Sequence, residues 1–188
     1  MDKLASLFTP LSKYYCSEMG NRLAYDAIQV HGGVGYTEDF DVSRIYRDVR
    51  ILSIYEGTTQ LQTVAAIGGI VTGLSAKGQL RDYLDNALKT YTPSRETKKL
   101  LEMLEQSVNL YKSLDDCNDK DYNAFEVVEN AARMLTGFLF EKSCSKLSGE
   151  VLEKRKKLCD AYNVESLSIC KANLMKLESA VKKEAVLG

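Results

Sequence analysis

The residues with chemistry to offer lie between Gln29 and Gln62, in QVHGGVGYTEDFDVSRIYRDVRILSIYEGTTQLQ. Glu56, in the run Ile54-Tyr55-Glu56-Gly57-Thr58-Thr59-Gln60, is a carboxylate followed at once by a glycine and two hydroxyl residues. In a loop between helices, such a carboxylate can be presented into a cleft while neighbouring amides and hydroxyls point at a ligand. Burial beside an apolar ligand would raise its pKa toward the range of a general base. The plainer alternative is a solvated loop glutamate ahead of a helix capped by Thr58. Gly32, Gly33 and Gly35 allow positive φ and bare backbone amides at a helix end, which is how a chain approaches a flat or phosphorylated ligand. A helix terminator and turn has the same composition. Arg44, Arg47 and Arg50 could meet a phosphate, or form a salt-bridged face in which Arg44 pairs with Asp48 four residues on.

Helices must position these groups. Leu4 to Val30 reads as one long helix, with Leu23, Ala27 and Val30 at helical spacing and Pro10 close enough to its start to be tolerated or to break off a first turn. HGGVGYTEDF reads as a loop, Asp41 to Val49 as a short helix capped by Asp41 or Ser43, and Thr58 or Thr59 as the cap of a helix through Leu61, Val64, Ala65 and Ile67. Glu56 then sits in a connection between two helices. Gly73 to Gly78 reads as a linker. Beyond it, Thr92-Pro93 starts a helix with Pro93 in its first position and a core stripe of Leu100, Met103, Leu104, Ser107, Val108 and Tyr111, broken at Asn118 to Asp121. Helices near Tyr122 to Lys146, Glu150 to Tyr162 and Val164 to Lys183 complete an antiparallel set.

The 188 residues balance 25 Lys+Arg against 26 Asp+Glu, and 45% are apolar. A net charge of −1 supplies no overall drive toward nucleic acid or anionic membranes, and no local basic patch replaces it. The apolar content is enough for a core. Five widely spaced cysteines without a CxxC argue against a disulfide framework or a metal site and fit a reducing compartment. No run is long enough to span a bilayer and neither end resembles a targeting signal, so the expected location is cytoplasmic, or the mitochondrial matrix in a eukaryote. Residues 1–76 hold 14 charged residues and 8 glycines, and residues 77–188 hold 37 and 4. The expected fold is all-α in two parts.

Taken together in this order, Gln29-Val-His-Gly-Gly-x-Gly-Tyr, Arg44-x-x-Arg47-Asp48-x-Arg50 and Ile54-Tyr-Glu-Gly-Thr-x-Gln60 closely resemble the C-terminal signature of the acyl-CoA dehydrogenases. The resemblance implies that residues 1–76 are the latter half of that family's C-terminal four-helix domain and that residues 77–188 are the appended helical domain of its longer subclass. It implies that Glu56 is the catalytic base, removing the α-proton of a fatty acyl-CoA while a hydride leaves the β-carbon for flavin N5 and a trans-2-enoyl-CoA forms. The developing enolate oxygen would be held by the Glu56 backbone N–H and a flavin ribityl hydroxyl. Gln29, Gly32 and Gly33 correspond to the segment touching the adenosine diphosphate part of FAD, in many members an FAD seated mainly in the adjacent subunit. Thr58 and Gln60 also contact FAD, and Gly57 lies beside the thioester.

The same resemblance gives His31, the one histidine, no proton-transfer role, and Tyr36 a packing one. It implies acyl-CoA as substrate, an electron-transferring flavoprotein as acceptor, and a homo-oligomer, dimer or tetramer. The match departs at Ala66-Ile67-Gly68, where many short members carry an arginine in an IAR-like triplet. The family's N-terminal helical domain and flavin-covering β-domain have no counterpart upstream, so Met1 is expected to be a truncated start. The chain alone is expected to bind FAD poorly and not to turn over. Two alternatives stand beside the dehydrogenase: a catalytically silent helical interaction module, and an acyl-CoA oxidase on the same fold.

Overall fold

The computed structural model describes residues 3–187, with side chains as far as Lys183; Met1, Asp2 and Gly188, the outer ends of the two expected parts, lie outside it. The described residues form eight α-helices and no strand: α1 (Lys3–His31), α2 (Gly33–Tyr36), α3 (Val42–Arg50), α4 (Thr59–Gly73), α5 (Gln79–Leu88), α6 (Arg95–Ser113), α7 (Cys117–Cys144) and α8 (Gly149–Leu187), with a 3-10 turn at Ile51–Ser53. The all-helical expectation holds. None of the helices is long and apolar enough to cross a membrane.

α1 runs unbroken through Pro10, whose ring is buried, and its stripe of Leu7, Leu11 and Tyr14 packs into the core. At its other end Leu23 and Val30, at helical spacing, are 68% and 86% exposed. The N-terminal half of α1 therefore faces the main core, while the C-terminal half packs against α3, with Ala24 buried and Asn21 donating to the Val49 carbonyl at 3.3 Å, and leaves Leu23 and Val30 uncovered. α1 crosses α4 near Gly69, where an added methyl would come 3.2 Å from the Leu7 side chain. One cluster of buried side chains then continues from Leu7, Leu11, Ala66 and Ile70 through Leu80 and Leu84 of α5 to Leu100, Leu104, Val127, Met134 and Leu177 of the last three helices.

Four expected boundaries move. α5 has no counterpart in the sequence reading; Leu80, Leu84 and Ala87 at helical spacing bury one face of a short helix. Pro93 stands outside α6, because Ser94 is its N-cap and accepts the Thr97 N–H at 3.2 Å. Asn118 to Asp121 opens α7 rather than breaking a helix, since the Asp116 carboxylate accepts the N–H groups of Asn118 and Asp119 at 2.6 and 3.2 Å. The two helices expected over 150–162 and 164–183 are one helix of 39 residues. Asn163 lies within it, 1% exposed, donating to Thr97 Oγ1 at 3.1 Å. A side chain bonded to a neighbouring helix no longer competes for its own backbone, which removes the reason to stop there.

α6, α7 and α8 are registered by a polar layer. Asn130 donates to Ser107 Oγ at 2.7 Å, and Asn173 donates to Asn130 Oδ1 and Glu129 Oε2 at 2.9 Å. Glu129 also pairs with the buried Arg133 at 3.2 Å. Satisfied buried polar groups fix which residues face one another, because any slip leaves them unpaired.

Cys16 and Cys117 are exposed, whereas Cys144, Cys159 and Cys170 are buried as free thiols. Burial pushes the thiols of Cys159 and Cys170 from the ordinary 9.0 up to about 12. A raised folded-state pKa contributes stability that is complete below pH 9.0 and is lost as pH rises toward 12, since the unfolded thiols ionise first. Burial pushes the phenols of Tyr14, Tyr15 and Tyr91 upward too, in the same sense. Thermal melts should therefore fall steadily above about pH 9. At pH 8, iodoacetamide should label Cys16 and Cys117 and spare the buried three, as peptide mapping would read.

Candidate active site

Glu56 lies in the connection between the 3-10 turn and α4, with its side chain exposed. Its φ is 52°, and it is the one non-glycine residue at positive φ among those described; Gly57 follows at 95°. Two successive left-handed residues turn the chain sharply, and for a residue with a Cβ that conformation costs about 1–2 kcal/mol. The loop is held by its carbonyls. Gln62, one turn into α4, donates Nε2 to the Glu56 carbonyl at 3.0 Å. The Lys13 ammonium donates to the carbonyls of Leu52 and of Gly57, the latter at 3.1 Å, and lies 5.6 Å from the centre of the Tyr55 ring. Thr58 caps α4, its Oγ1 accepting the Leu61 N–H at 3.3 Å, and Thr59 donates its hydroxyl to Glu18. The Glu56 carboxylate and its own N–H have no hydrogen-bonding partner among the described residues.

The glycine turn closes the far end of α1. Gly32, at φ 68°, takes the conformation that lets the helix end, and its N–H donates to the Ile28 carbonyl at 3.0 Å. Gly33 and Gly35 do not use positive φ: they lie in α2, a single helical turn inside the expected loop. Gly35 is instead packed on His31, where an added methyl would come within 2.5 Å of the His31 Cβ. His31 bonds the Ala27 carbonyl through Nδ1 at 2.8 Å and meets the Phe40 ring at 5.5 Å, which is packing work. Gln29, Tyr36 and Phe40 are exposed around this turn.

The structure thus sorts the expected site residues into two groups, one beside the middle of α1 and one at its C-terminal end. Glu56, Gly57, Thr58 and Gln60 gather where Lys13 and Glu18 meet the loop. Gln29, Gly32 and Gly33 lie further along, Gln29 eleven residues beyond Glu18 and sixteen beyond Lys13, about 17–24 Å by helical rise. α3 joins the two. Its arginines are committed: Arg44 to Asp41 and Asp48 at 3.2 and 3.7 Å, Arg47 to Glu38 at 3.1 Å, and Arg50 to Ser53 Oγ at 2.6 Å, all exposed. Asp41 is the N-cap by position, but its carboxylate is on Arg44 and caps no N–H.

Residues 2–67 match the family model described as the acyl-CoA dehydrogenase C-terminal domain. Over these residues the chain resembles the C-terminal domain of the acyl-CoA dehydrogenases. A 3-(aryl)acrylate reductase of Clostridium sporogenes is 40% identical over 70 residues, 37% of this chain and 18% of that protein. The caffeyl-CoA reductase-Etf complex subunit CarC of Acetobacterium woodii is 42% identical over 66 residues, 35% of this chain and 17% of that protein. The matched region is under a fifth of either relative's length. An acyl-CoA dehydrogenase from Bacillus anthracis, solved in complex with FAD, superposes over 93% of this chain and 35% of its own with a TM-score of 0.63, at 15% identity, a likeness of fold.

Within residues 2–67, the three side chains that hold the Glu56 loop, Lys13, Glu18 and Gln62, carry no motif in the sequence. Each read as one more polar residue on a helix. The available signal was position, since Lys13 and Glu18 lie five apart on the half of α1 that also carries the buried Tyr14 and Ser17.

Proposed function

We propose that this chain supplies the catalytic base of an FAD-dependent acyl-CoA dehydrogenase, with Glu56 taking the α-proton of a fatty acyl-CoA. The observation that carries the reading is the Glu56 loop: its carbonyls are tied back by Lys13 and Gln62, while its carboxylate and N–H are left free. Oxidation of the thioester removes two hydrogens, one as a proton and one as a hydride, and leaves the Cα–Cβ double bond of a trans-2-enoyl-CoA. The Glu56 carboxylate receives the proton. The Glu56 N–H donates to the thioester oxygen as negative charge builds on it, a stabilisation on the order of 3 kcal/mol for one such donor. Gly57 lies beside the thioester, and its missing side chain makes room for the Gln62 amide that holds the loop. Enclosure by the acyl chain then raises the proton affinity of the carboxylate.

FAD suits the residues present. The exposed side chains of Gln29 and Gln60 make no hydrogen bond to any described residue, the Gly32-Gly33 turn is open, and Tyr36 and Phe40 offer exposed rings beside it. Gln29, Gly32 and Gly33 would hold the adenosine diphosphate end, and Thr58 and Gln60 the end near the base. When bound, FAD supplies the acceptor for the β-hydride. The separation of the two groups along α1 supports a homo-oligomer in which each copy lends residues to two cofactor positions, as the resemblance implies. An electron-transferring flavoprotein is the acceptor we favour, a reading supported by the Acetobacterium woodii relative's naming as part of an Etf complex.

We assign residues 1–76 to the dehydrogenase domain and residues 77–188 to an appended helical domain that packs on it and shapes oligomerisation or the acyl-tail environment. A second reading concerns direction. Both relatives above are named reductases, and by microscopic reversibility the same glutamate can return the α-proton to an unsaturated thioester. With no strand among the described residues to cover a flavin, the 188 residues alone should retain little FAD and show no dye-coupled acyl-CoA oxidation. Flavin absorbance after gel filtration, with a dye-reduction assay on the same fraction, checks this; clear turnover by the chain alone refutes it.

A further inference from the structure

We propose that Lys13 of α1, seconded by Glu18, is the positioning residue of the Glu56 loop: one ammonium holds both ends of the segment 52–57 in the conformation that turns the base outward. The proposal rests on the reading of Glu56 as base and adds the group that sets its geometry.

The argument begins with charge. Lys13 is half-buried and makes no ion pair with any described carboxylate. Its ammonium is used on two main-chain carbonyls, those of Leu52 and Gly57, which lie on either side of the strained residue. An ammonium is a compact donor with three N–H groups and can bridge two acceptors that neutral side chains would serve singly. Here it closes residues 52–57 into a ring through one atom. The Tyr55 ring lies against the same ammonium, so the loop covers the charge that holds it.

Glu18 acts at the next point along the chain. Five residues after Lys13 on α1, it accepts the hydroxyl of Thr59, the first residue of α4, and fixes where that helix starts. Thr58 then caps α4, and Gln62 on α4 reaches back to the Glu56 carbonyl. Each of these bonds takes hold of the loop or of the start of α4 by a backbone group or a threonine hydroxyl, and none engages the Glu56 carboxylate. A clamp of that form orients a side chain without neutralising it. The left-handed φ of Glu56 needs such a restraint, because the residue would relax to a commoner conformation if released.

The test uses the 188-residue chain and reads the loop directly. In Lys13→Met, which keeps the apolar stem and removes the donors, native-state amide exchange of Ile54 and Tyr55, whose N–H groups bond the Ile51 carbonyl at 2.9 and 3.1 Å, should rise roughly ten- to hundredfold, the loss of one charge-assisted hydrogen bond. Cleavage after Glu56 by a glutamate-specific protease should rise in step, while peptides from α6, α7 and α8 keep their protection. Lys13→Arg should recover most of the loop protection, and Glu18→Ala, which removes the acceptor of the Thr59 hydroxyl, should loosen the start of α4 alone. Unchanged exchange at Ile54 and Tyr55 in Lys13→Met overturns the proposal; so does a uniform rise across all helices, which would make Lys13 a residue of the fold at large. The two readings separate cleanly. If the loop loosens in Lys13→Met but Glu56→Gln leaves turnover intact in the flavin-loaded holoenzyme, the clamp stands and the base lies elsewhere.

Discussion

Glu56→Gln, placed in a flavin-loaded holoenzyme carrying this segment, should retain its FAD and lose acyl-CoA oxidation by a factor of roughly 10²–10⁴ or more. The substitution keeps the size of the side chain and its exposed position, and removes the group that takes the proton. Nothing that holds the loop is touched, because Lys13, Gln62 and Thr58 all bind its backbone or cap the next helix. The FAD contacts assigned to Thr58, Gln60 and the distant glycine turn are also left in place. The expected pattern is thus a fall in kcat with cofactor absorbance unchanged. A neutral amide cannot accept the α-proton of a thioester, so the residual rate is whatever water or a distant carboxylate provides.

The second large effect concerns the joint between the two parts of the chain. Gly78→Ala should destabilise the fold by about 3 kcal/mol, the upper end of what overpacking costs. The backbone there, with φ −87° and ψ 144°, is one that alanine adopts readily. Space is what fails: a Cβ would stand 2.1 Å from the Gly73 carbonyl oxygen and 2.6 Å from that of Thr72. Both are backbone atoms at the end of α4 and cannot swing aside. α5 would have to move, carrying Leu80 and Leu84, which are 0% and 1% exposed. A chain of this size should then melt on the order of 10 °C lower. Gly68→Ala is the counterpart within the same helix pair, since no atom lies within 4 Å of its added methyl. It should stabilise by about 0.5–1 kcal/mol through helix propensity alone.

Much of this fold was legible because helical periodicity and capping chemistry agree along the chain. The stripe Leu100, Leu104, Ser107 and Val108 is buried as its spacing requires, and Thr58 caps α4 with the expected hydroxyl. The errors came where tertiary contacts override local preference. The sequence reads as two helices that meet at Asn163, and with Thr97 beside it Asn163 belongs inside a continuous helix. Asn118 to Asp121 reads as a break until Asp116 turns the same polar run into a capped start. α5 escaped notice because it is short and follows the Gly73 to Gly78 turn directly, so its three buried positions made too brief a pattern to register.

The candidate site divides in the same way. Glu56, the glycine turn and the arginine helix were identifiable from residue types in order, and the structure places Glu56 in the inter-helix connection that the reading required. The glycines were over-read, since one of the three takes a left-handed conformation and another makes room for His31. What the sequence could not disclose is the support. Lys13 and Gly57 are 44 residues apart, and a lysine on a helix carries no sign that its ammonium will end on a loop carbonyl so distant in the chain. The strain at Glu56 is likewise a property of the folded loop, visible in its φ and nowhere in its neighbours' identities.

The most direct measurement of the central claim is α-proton exchange. A flavin-loaded holoenzyme containing this segment, incubated in D₂O with an acyl-CoA analogue that can ionise at the α-carbon but cannot lose a β-hydride, should introduce deuterium at that carbon. Glu56→Gln should abolish the incorporation while FAD absorbance persists. Incorporation at the same rate in wild type and Glu56→Gln would contradict the assignment of Glu56 as the base.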